Sequence, residues 1–356
     1  MLISIHQVKV GDRLGSDTFN GYGLLVLSAH TELSVDDIEK LKLHHIDEVD
    51  IAFRTDDPEP DAAKDASPPV QTEHAASAAA VAAYHEAVDG MKSIFEQAIQ
   101  KGIVHKDQID NGFNPLVQQV HEERDVVSLL LVLNSTDDYT YQHSVQVGMI
   151  SYYISKWLGQ SEADAELAGK AGYLHDIGKG LIDPAILQKP GKLTAEEYER
   201  VKKHSIYGYE LLQRSGLPAE ICLTALQHHE RLDGSGYPYG LCGDEIHPLA
   251  KIVAVADIYS AMISSRVYQK KRDLLFVLRE LHRCSFGQID PHITQLFIQH
   301  MVPNFIGKKV QLVSGETGTI VLTHPTDVFR PLVNFDGMFI DLSERTDLEV
   351  EHIFAD

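Results

Sequence analysis

Apolar and polar positions along the chain fall into three rhythms. Residues 1–55 read as short elements: Met1–Val10 alternates weakly, Tyr22–Ser28 is a short apolar run, and Val49–Phe53 could close a sheet. Between them Ser34–Leu43 predicts a helix. Ser34 would be its N-cap, and Asp36 and Asp37 would lie in the first turn, where the helix dipole favours acids. Residues 56–80 lose all periodicity and are rich in Pro, Asp and Ala, which predicts a flexible linker. A helical period then sets in near Val81, through Met91, Ile94, Phe95 and Ile99, and runs on to 303. Leu193–Arg214 is typical of it. Thr194 and Glu197 spell a capping box, Tyr198, Val201, Ile206, Tyr209 and Leu212 recur at helical spacing, and Gly216 with Pro218 ends the run. After 304 the pattern becomes strand-like again, in Lys309–Val313, Gly318–Leu322 and Leu332–Phe335. The fold class expected is mainly α: a helical domain over 81–303, a small regulatory α/β domain over 1–55, and a small β-rich appendage over 304–356.

Composition narrows the partners. Of 356 residues, 44% are hydrophobic and 23% charged, as in soluble globular proteins. The net charge of −21 opposes nucleic-acid binding, so an anionic substrate needs a local positive site, which bound metal ions would supply. Cys222, Cys242 and Cys284 form no CxxC pair, which argues against disulfides or a thiolate zinc site and fits a cytoplasmic setting. The start of the chain has no secretory-signal pattern, and no stretch approaches the roughly 18 apolar residues of a membrane span; Leu129–Leu133 is too short.

The chemistry is carried by histidine and aspartate. Most of the 19 histidines are scattered and read as surface or packed residues. Three groups differ: His175-Asp176 in YLHDIGKG, His228-His229 in LQHHERLDGSGYP, and Asp257 in the apolar helix IVAVADIYSAM. A lone carboxylate on such a helix is costly to bury, and either a metal or a hydrogen bond to a neighbouring helix would relieve it. His143 and His204 extend the set on helices of their own. Imidazole with carboxylate suits borderline divalent ions: Fe, Mn, Co, Ni or Zn. Seven candidates exceed the roughly four ligands of one structural zinc and suit two ions bridged by a carboxylate.

The HDIGK stretch, the string HHERLDGSGYPYGL (His228–Leu241) and the later AD-containing helix resemble, in that order, the HD-GYP family of metal-dependent phosphohydrolases. The likeness spans about 120–303 and implies an HD-type helical bundle. It implies His143, His175, Asp176, His204, His228, His229 and Asp257 as metal ligands, with Asp176 bridging. The cofactors implied are two divalent metal ions, iron or manganese first. A third metal in some members uses a Glu where this chain has Tyr139; Asp137 and Asp138 are out of register, which favours two. The likeness further implies Lys179 beside the scissile phosphate, one helical turn past His175 if the helix continues, and substrate contacts from Arg266, Lys270 and the rim residue Tyr237. Ser260 and Gln269 depart from the family and bear on ligand affinity. Glu230 and Asp233 have two readings, as partners orienting the histidines or as bonds internal to the loop.

The activity implied is a cyclic di-GMP phosphodiesterase: a metal-bridging hydroxide opens the ring to linear pGpG and/or GMP, with Asp176 and Lys179 as catalytic groups. Two alternatives stand beside it. One is a module that binds cyclic di-GMP, or a diguanylate cyclase (GGDEF) partner, without turnover. The other is a phosphodiesterase for another cyclic dinucleotide. The N-terminal unit fits regulation or homodimerisation equally.

Overall fold

The computed structural model describes residues 2–15, 18–19, 25–27, 31, 33–34, 37–38, 41, 46, 48–53, 78–120, 139–189, 191–263, 274–324 and 327–353. The N-terminal unit contains strands β1 (Leu2–Ser4), β2 (Arg13–Leu14), β3 (Thr18–Phe19), β4 (Leu25–Leu27) and β5 (Glu48–Phe53). β5 is the middle of an antiparallel sheet ordered β1-β5-β2, with Ile3 opposite Val49, and β3 pairs with β4. Ile3, Leu14, Leu33, Leu41, Val49 and Ile51 fill a small core of their own. Ser34 caps as its sequence suggests: the Asp37 N–H donates to Ser34 Oγ at 3.2 Å, and the Ser34 N–H donates to Asp37 Oδ2 at 3.0 Å.

Helices follow from residue 78: α1 (Ala78–Lys101), α2 (Lys106–Val120), α3 (Tyr139–Trp157), α4 (Glu162–Leu174), α5 (Pro184–Leu187), α6 (Ala195–Lys202), α7 (His204–Arg214), α8 (Ala219–Gln227), α9 (Pro248–Ile263), α10 (Leu274–Cys284) and α11 (Pro291–Met301). The capping box of α6 forms as expected, through Thr194 and Glu197. The run Leu193–Arg214, however, is two helices rather than one. His204 Nδ1 reaches the Val201 carbonyl at 2.7 Å and Ser205 Oγ donates to the Lys202 carbonyl at 3.0 Å. Those carbonyls would otherwise serve the next helical turn, so the side chains break the ladder at Lys203. The break lies immediately before His204.

Strands β6 (Lys309–Leu312), β7 (Thr317–Leu322), β8 (Leu332–Phe335), β9 (Met338–Asp341) and β10 (Val350–Ile353) form one antiparallel sheet ordered β10-β6-β7-β8-β9. Its inward residues Val310, Leu312, Ile320, Val333 and Val350 join the same apolar cluster as the helices. Phe329, just before β8, lies under Arg279 and beside the His282 ring, both from α10. No helix among the described residues is long and apolar enough to cross a membrane.

Candidate metal centre

Three helices and two helix ends converge on one buried point. His143 projects from α3, Asp257 from α9, and His204 opens α7. His175 and His228 stand at the C-caps of α4 and α8, with Asp176 and His229 immediately after them. His143, His175, Asp176, His204, His228 and Asp257 are buried, and the His229 side chain is 18% exposed. The potential ligand atoms fall into two groups, Asp176 with His204, His228 and His229, and His143 with His175 and Asp257; within each, the atoms lie no more than 4.8 Å apart.

Local backbone aims the rings. His175 Nδ1 meets the Gly172 carbonyl at 2.6 Å, His204 Nδ1 the Val201 carbonyl at 2.7 Å, and His228 Nδ1 the Ala225 carbonyl at 3.0 Å. A ring nitrogen facing a carbonyl oxygen must carry the proton, so each Nδ1 donates and each Nε2 turns inward. His143 is held differently. Its Nδ1 lies 3.0 Å from Ser260 Oγ, and that hydroxyl donates to Gln146 Oε1 at 2.9 Å.

The inward nitrogens surround Asp176, whose two oxygens divide the work. Oδ2 lies 3.2 Å from His175 Nε2 and 3.8 Å from His143 Nε2; Oδ1 lies 3.2 Å from His204 Nε2 and 3.8 Å from His228 Nε2. Asp257 Oδ1 is 3.0 Å from His143 Nε2, and its Oδ2 is 3.8 Å from His229 Nδ1. His204 Nε2 and His228 Nε2 face each other at 3.3 Å. His175 Nε2 and Asp176 Oδ1 are buried with no hydrogen-bond partner. Lone pairs held this close, with two polar atoms orphaned among them, require positive charge in the gaps. Protonating every ring is the unfavourable way to supply it. Burial drives His143 below the usual imidazole range, and burial together with the adjoining imidazoles drives His228 and His229 well below it. His175 is the exception: burial lowers it, but the adjacent Asp176 carboxylate outweighs that and raises it. Burial also opposes the charge on Asp176 and Asp257, yet the facing histidines, with Lys179 beside Asp176, hold both carboxyls well below their ordinary range. The donor set of imidazole and carboxylate therefore fits divalent cations.

Lys179 donates to Asp176 Oδ2. It does so from a 3-10 turn, Ile177–Leu181, because α4 stops at Leu174. The expected helical continuation from His175 is thus corrected: the tighter turn eclipses residues three apart and lays Lys179 over Asp176. Gly178 allows it. A Cβ there would come within 2.0 Å of the His204 carbonyl oxygen and 2.5 Å of the Gly208 nitrogen, so only glycine lets the turn lie against α7.

The loop after His229 forms one wall. The Tyr237 ring lies 4.6 Å from the His229 ring, and Lys202 Nζ sits 5.7 Å from the centre of the Tyr237 ring. Gly236 lets the loop fold back, since a Cβ there would meet the His229 oxygen at 2.5 Å and the Arg231 nitrogen at 2.4 Å. Glu230 and Asp233 bond within the loop and do not orient the histidines. Glu230 accepts from the Tyr239 and Leu241 N–H groups at 2.7 and 3.0 Å, and Asp233 accepts from the Ser235 N–H at 2.9 Å. Ser260 is fully buried, with its hydroxyl between His143 and Gln146. Gln146 drew no attention in the sequence, although it lies one turn after His143 on the same helix face. Arg266, Gln269 and Lys270, like Asp137 and Asp138, lie outside the described residues; Tyr139 begins α3.

Residues 128–293 match the family model described as HD domain. This stretch is an HD domain. Its His228–Leu241 string resembles the HD-GYP form. The chain is similar to a cyclic di-GMP phosphodiesterase of Pseudomonas aeruginosa, 36% identical over 208 residues, which cover 57% of this chain and 49% of the relative. It is also similar to a 3'3'-cGAMP-specific phosphodiesterase of Vibrio cholerae, 32% identical over 191 residues, covering 52% and 44%. The chain spans about half the length of these curated relatives. Among solved structures, an HDG"Y"P protein of Bdellovibrio bacteriovorus shares the fold, with a TM-score of 0.53 at 17% identity, covering 83% of this chain and 97% of the other. The HD domain thus accounts for the helical bundle that carries the histidines and aspartates.

Proposed function

We propose that the HD domain is a two-metal phosphodiesterase that hydrolyses cyclic di-GMP to linear pGpG and/or GMP. The observation that carries the reading is the split carboxylate: Asp176 turns one oxygen to His143 and His175 and the other to His204 and His228. His143, His175 and Asp257 would hold one ion, His204, His228 and His229 the other, and Asp176 both. The ligand set suits iron or manganese. Bound there, the two ions would supply an activated water and neutralise charge on the phosphoryl group.

The chain's own residues have separable tasks. Asp176 and Asp257 compensate positive charge in a buried site that water cannot screen. Lys179 is partly exposed and paired with Asp176, so it can meet a phosphate oxygen as negative charge builds there. Tyr237 and Lys202 form the rim that a nucleotide would pass. Arg266 and Lys270 are proposed as further phosphate contacts. The Pseudomonas relative aligns more residues at higher identity than the Vibrio one, which favours cyclic di-GMP over 3'3'-cGAMP.

The test is anaerobic purification with metal analysis, then chromatography of parallel digests of the two cyclic dinucleotides. Two metals per chain and faster conversion of cyclic di-GMP to pGpG or GMP are expected. Full activity in a His175→Ala, Asp176→Ala double variant would defeat the proposal, and preferential cleavage of 3'3'-cGAMP would reassign the substrate.

A further inference from the structure

The buried polar groups beside the metal centre include a pair that the proposed reaction does not use. Ser260 of α9 and Gln146 of α3 are both buried, 0% and 2% exposed. Ser260 Oγ lies 3.0 Å from His143 Nδ1 and donates to Gln146 Oε1 at 2.9 Å. A hydroxyl has one proton. With that proton on Gln146, the Ser260 oxygen can only accept, so His143 Nδ1 must be the donor. His143 Nε2 is then left bare, 3.0 Å from Asp257 Oδ1 and 3.8 Å from Asp176 Oδ2. Gln146 is itself anchored. Its side chain hydrogen-bonds the hydroxyl of Tyr84, a buried residue of α1 that also reaches the Gln142 carbonyl at 3.5 Å.

The contrast with the other rings gives the pair its meaning. His175, His204 and His228 take their orientation from carbonyls three residues back in their own chain segments. His143 sits inside α3, where the carbonyls are engaged in the helical ladder. Its orientation comes from another helix, through a side chain. We infer that Ser260 and Gln146 are positioning residues that fix His143 in the Nδ1–H form and present its Nε2 as a metal ligand. The inference rests on the proposed two-metal reading. It assigns Ser260 a role in the metal shell rather than in nucleotide affinity.

The experiment is manganese(II) titration of the metal-free full chain by calorimetry, on wild type, Ser260→Ala, Ser260→Thr and Gln146→Leu, with thermal melts of the metal-free proteins alongside. Wild type should bind two ions. Ser260→Ala should bind one as before and the other roughly 10- to 100-fold more weakly, the usual effect of removing a partner behind a ligating histidine. Ser260→Thr keeps the hydroxyl and should restore much of the loss. Gln146→Leu should shift the same ion in the same direction, and it decides the question if Ser260→Ala does not fold. Unchanged affinity at both sites in folded Ser260→Ala or Gln146→Leu would overturn the inference. So would equal losses at both sites, or a melt lowered in proportion to binding, which mark a general packing defect. Fewer than two ions on wild type would overturn the two-metal reading and this inference with it.

Discussion

At the scale of single residues, Asp176 and Lys179 touch each other yet should fail differently. Asp176 supplies an oxygen to each group of histidines, so Asp176→Asn should weaken metal affinity by more than the roughly 10- to 100-fold typical of outer partners, with metal content and turnover lost together. Lys179→Met removes a charge that faces the site from its partly exposed side. Metal content should stay at the wild-type value while turnover falls about 100- to 1,000-fold. Metal analysis beside initial rates checks both; metal lost from Lys179→Met would mean that the lysine is part of the shell rather than a partner of the substrate. The seven histidine and aspartate positions were legible as a set because the HDIGK and HHERLDGSGYP strings resemble a known family; the residues by themselves pointed to Asp257, a carboxylate on an otherwise apolar helix. Gln146 was not legible. A glutamine one turn from a histidine is unremarkable until a second helix brings a serine between them. Ser260 was noticed as a departure, but its direction depends on where α9 meets α3, and residue spacing does not report that.

At the scale of elements, the centre depends on chain segments that approach too closely for side chains. The 3-10 turn Ile177–Leu181 rests on α7 at Gly178, where a Cβ would overlap the His204 carbonyl. Gly178→Ala must push the turn and α7 apart. It should destabilise the fold by about 1–3 kcal/mol, as overpacking does, and weaken metal binding through His204. The urea midpoint and metal retention check it; a midpoint equal to wild type would show that the turn yields freely. The same logic governs the wall loop. Buried Glu230 holds two backbone N–H groups, of Tyr239 and Leu241, and Glu230→Ala leaves both without that partner. A loss of about 1–3 kcal/mol per stranded group is expected, read as a lower urea midpoint. Sequence reasoning found the helices and the capping box because period and cap residues are local signals. It joined α6 to α7 because the interrupting hydrogen bonds, from His204 and Ser205, come from residues that also fit a helical pattern.

For the whole molecule, the buried site ties folding to pH, and the sign follows from the shifts. His143, His228 and His229 titrate lower in the folded protein than the ordinary value of about 6.5, the first from burial and the others from burial and neighbouring imidazoles. The unfolded chain therefore binds more protons near that pH, so these three contribute stability above it that drains as pH falls. Asp176 and Asp257 act in the same sense in more acidic solution, with a contribution present above about 3.9 and lost below. His175, raised by Asp176 against burial, acts oppositely: its contribution is present below about 6.5 and is lost as pH rises through its folded value. His228 and His229 are driven well below the ordinary value, and His143 shifts in the same direction, so the lowered rings set the expected sign. The urea midpoint of the metal-free chain should fall on going from about pH 7.5 to about pH 5.5. Metal strengthens the trend, because protons compete for the same Nε2 atoms, and ligand held at about 1,000 times its Kd adds about 4 kcal/mol of stability at the higher pH that is released at the lower. The core shared by the helices and the β6–β10 sheet predicts that helix content and tertiary fluorescence of residues 78–353 follow the same transition. A midpoint that rises on acidification would mean that His175 dominates and that the other rings are already charged in the folded protein.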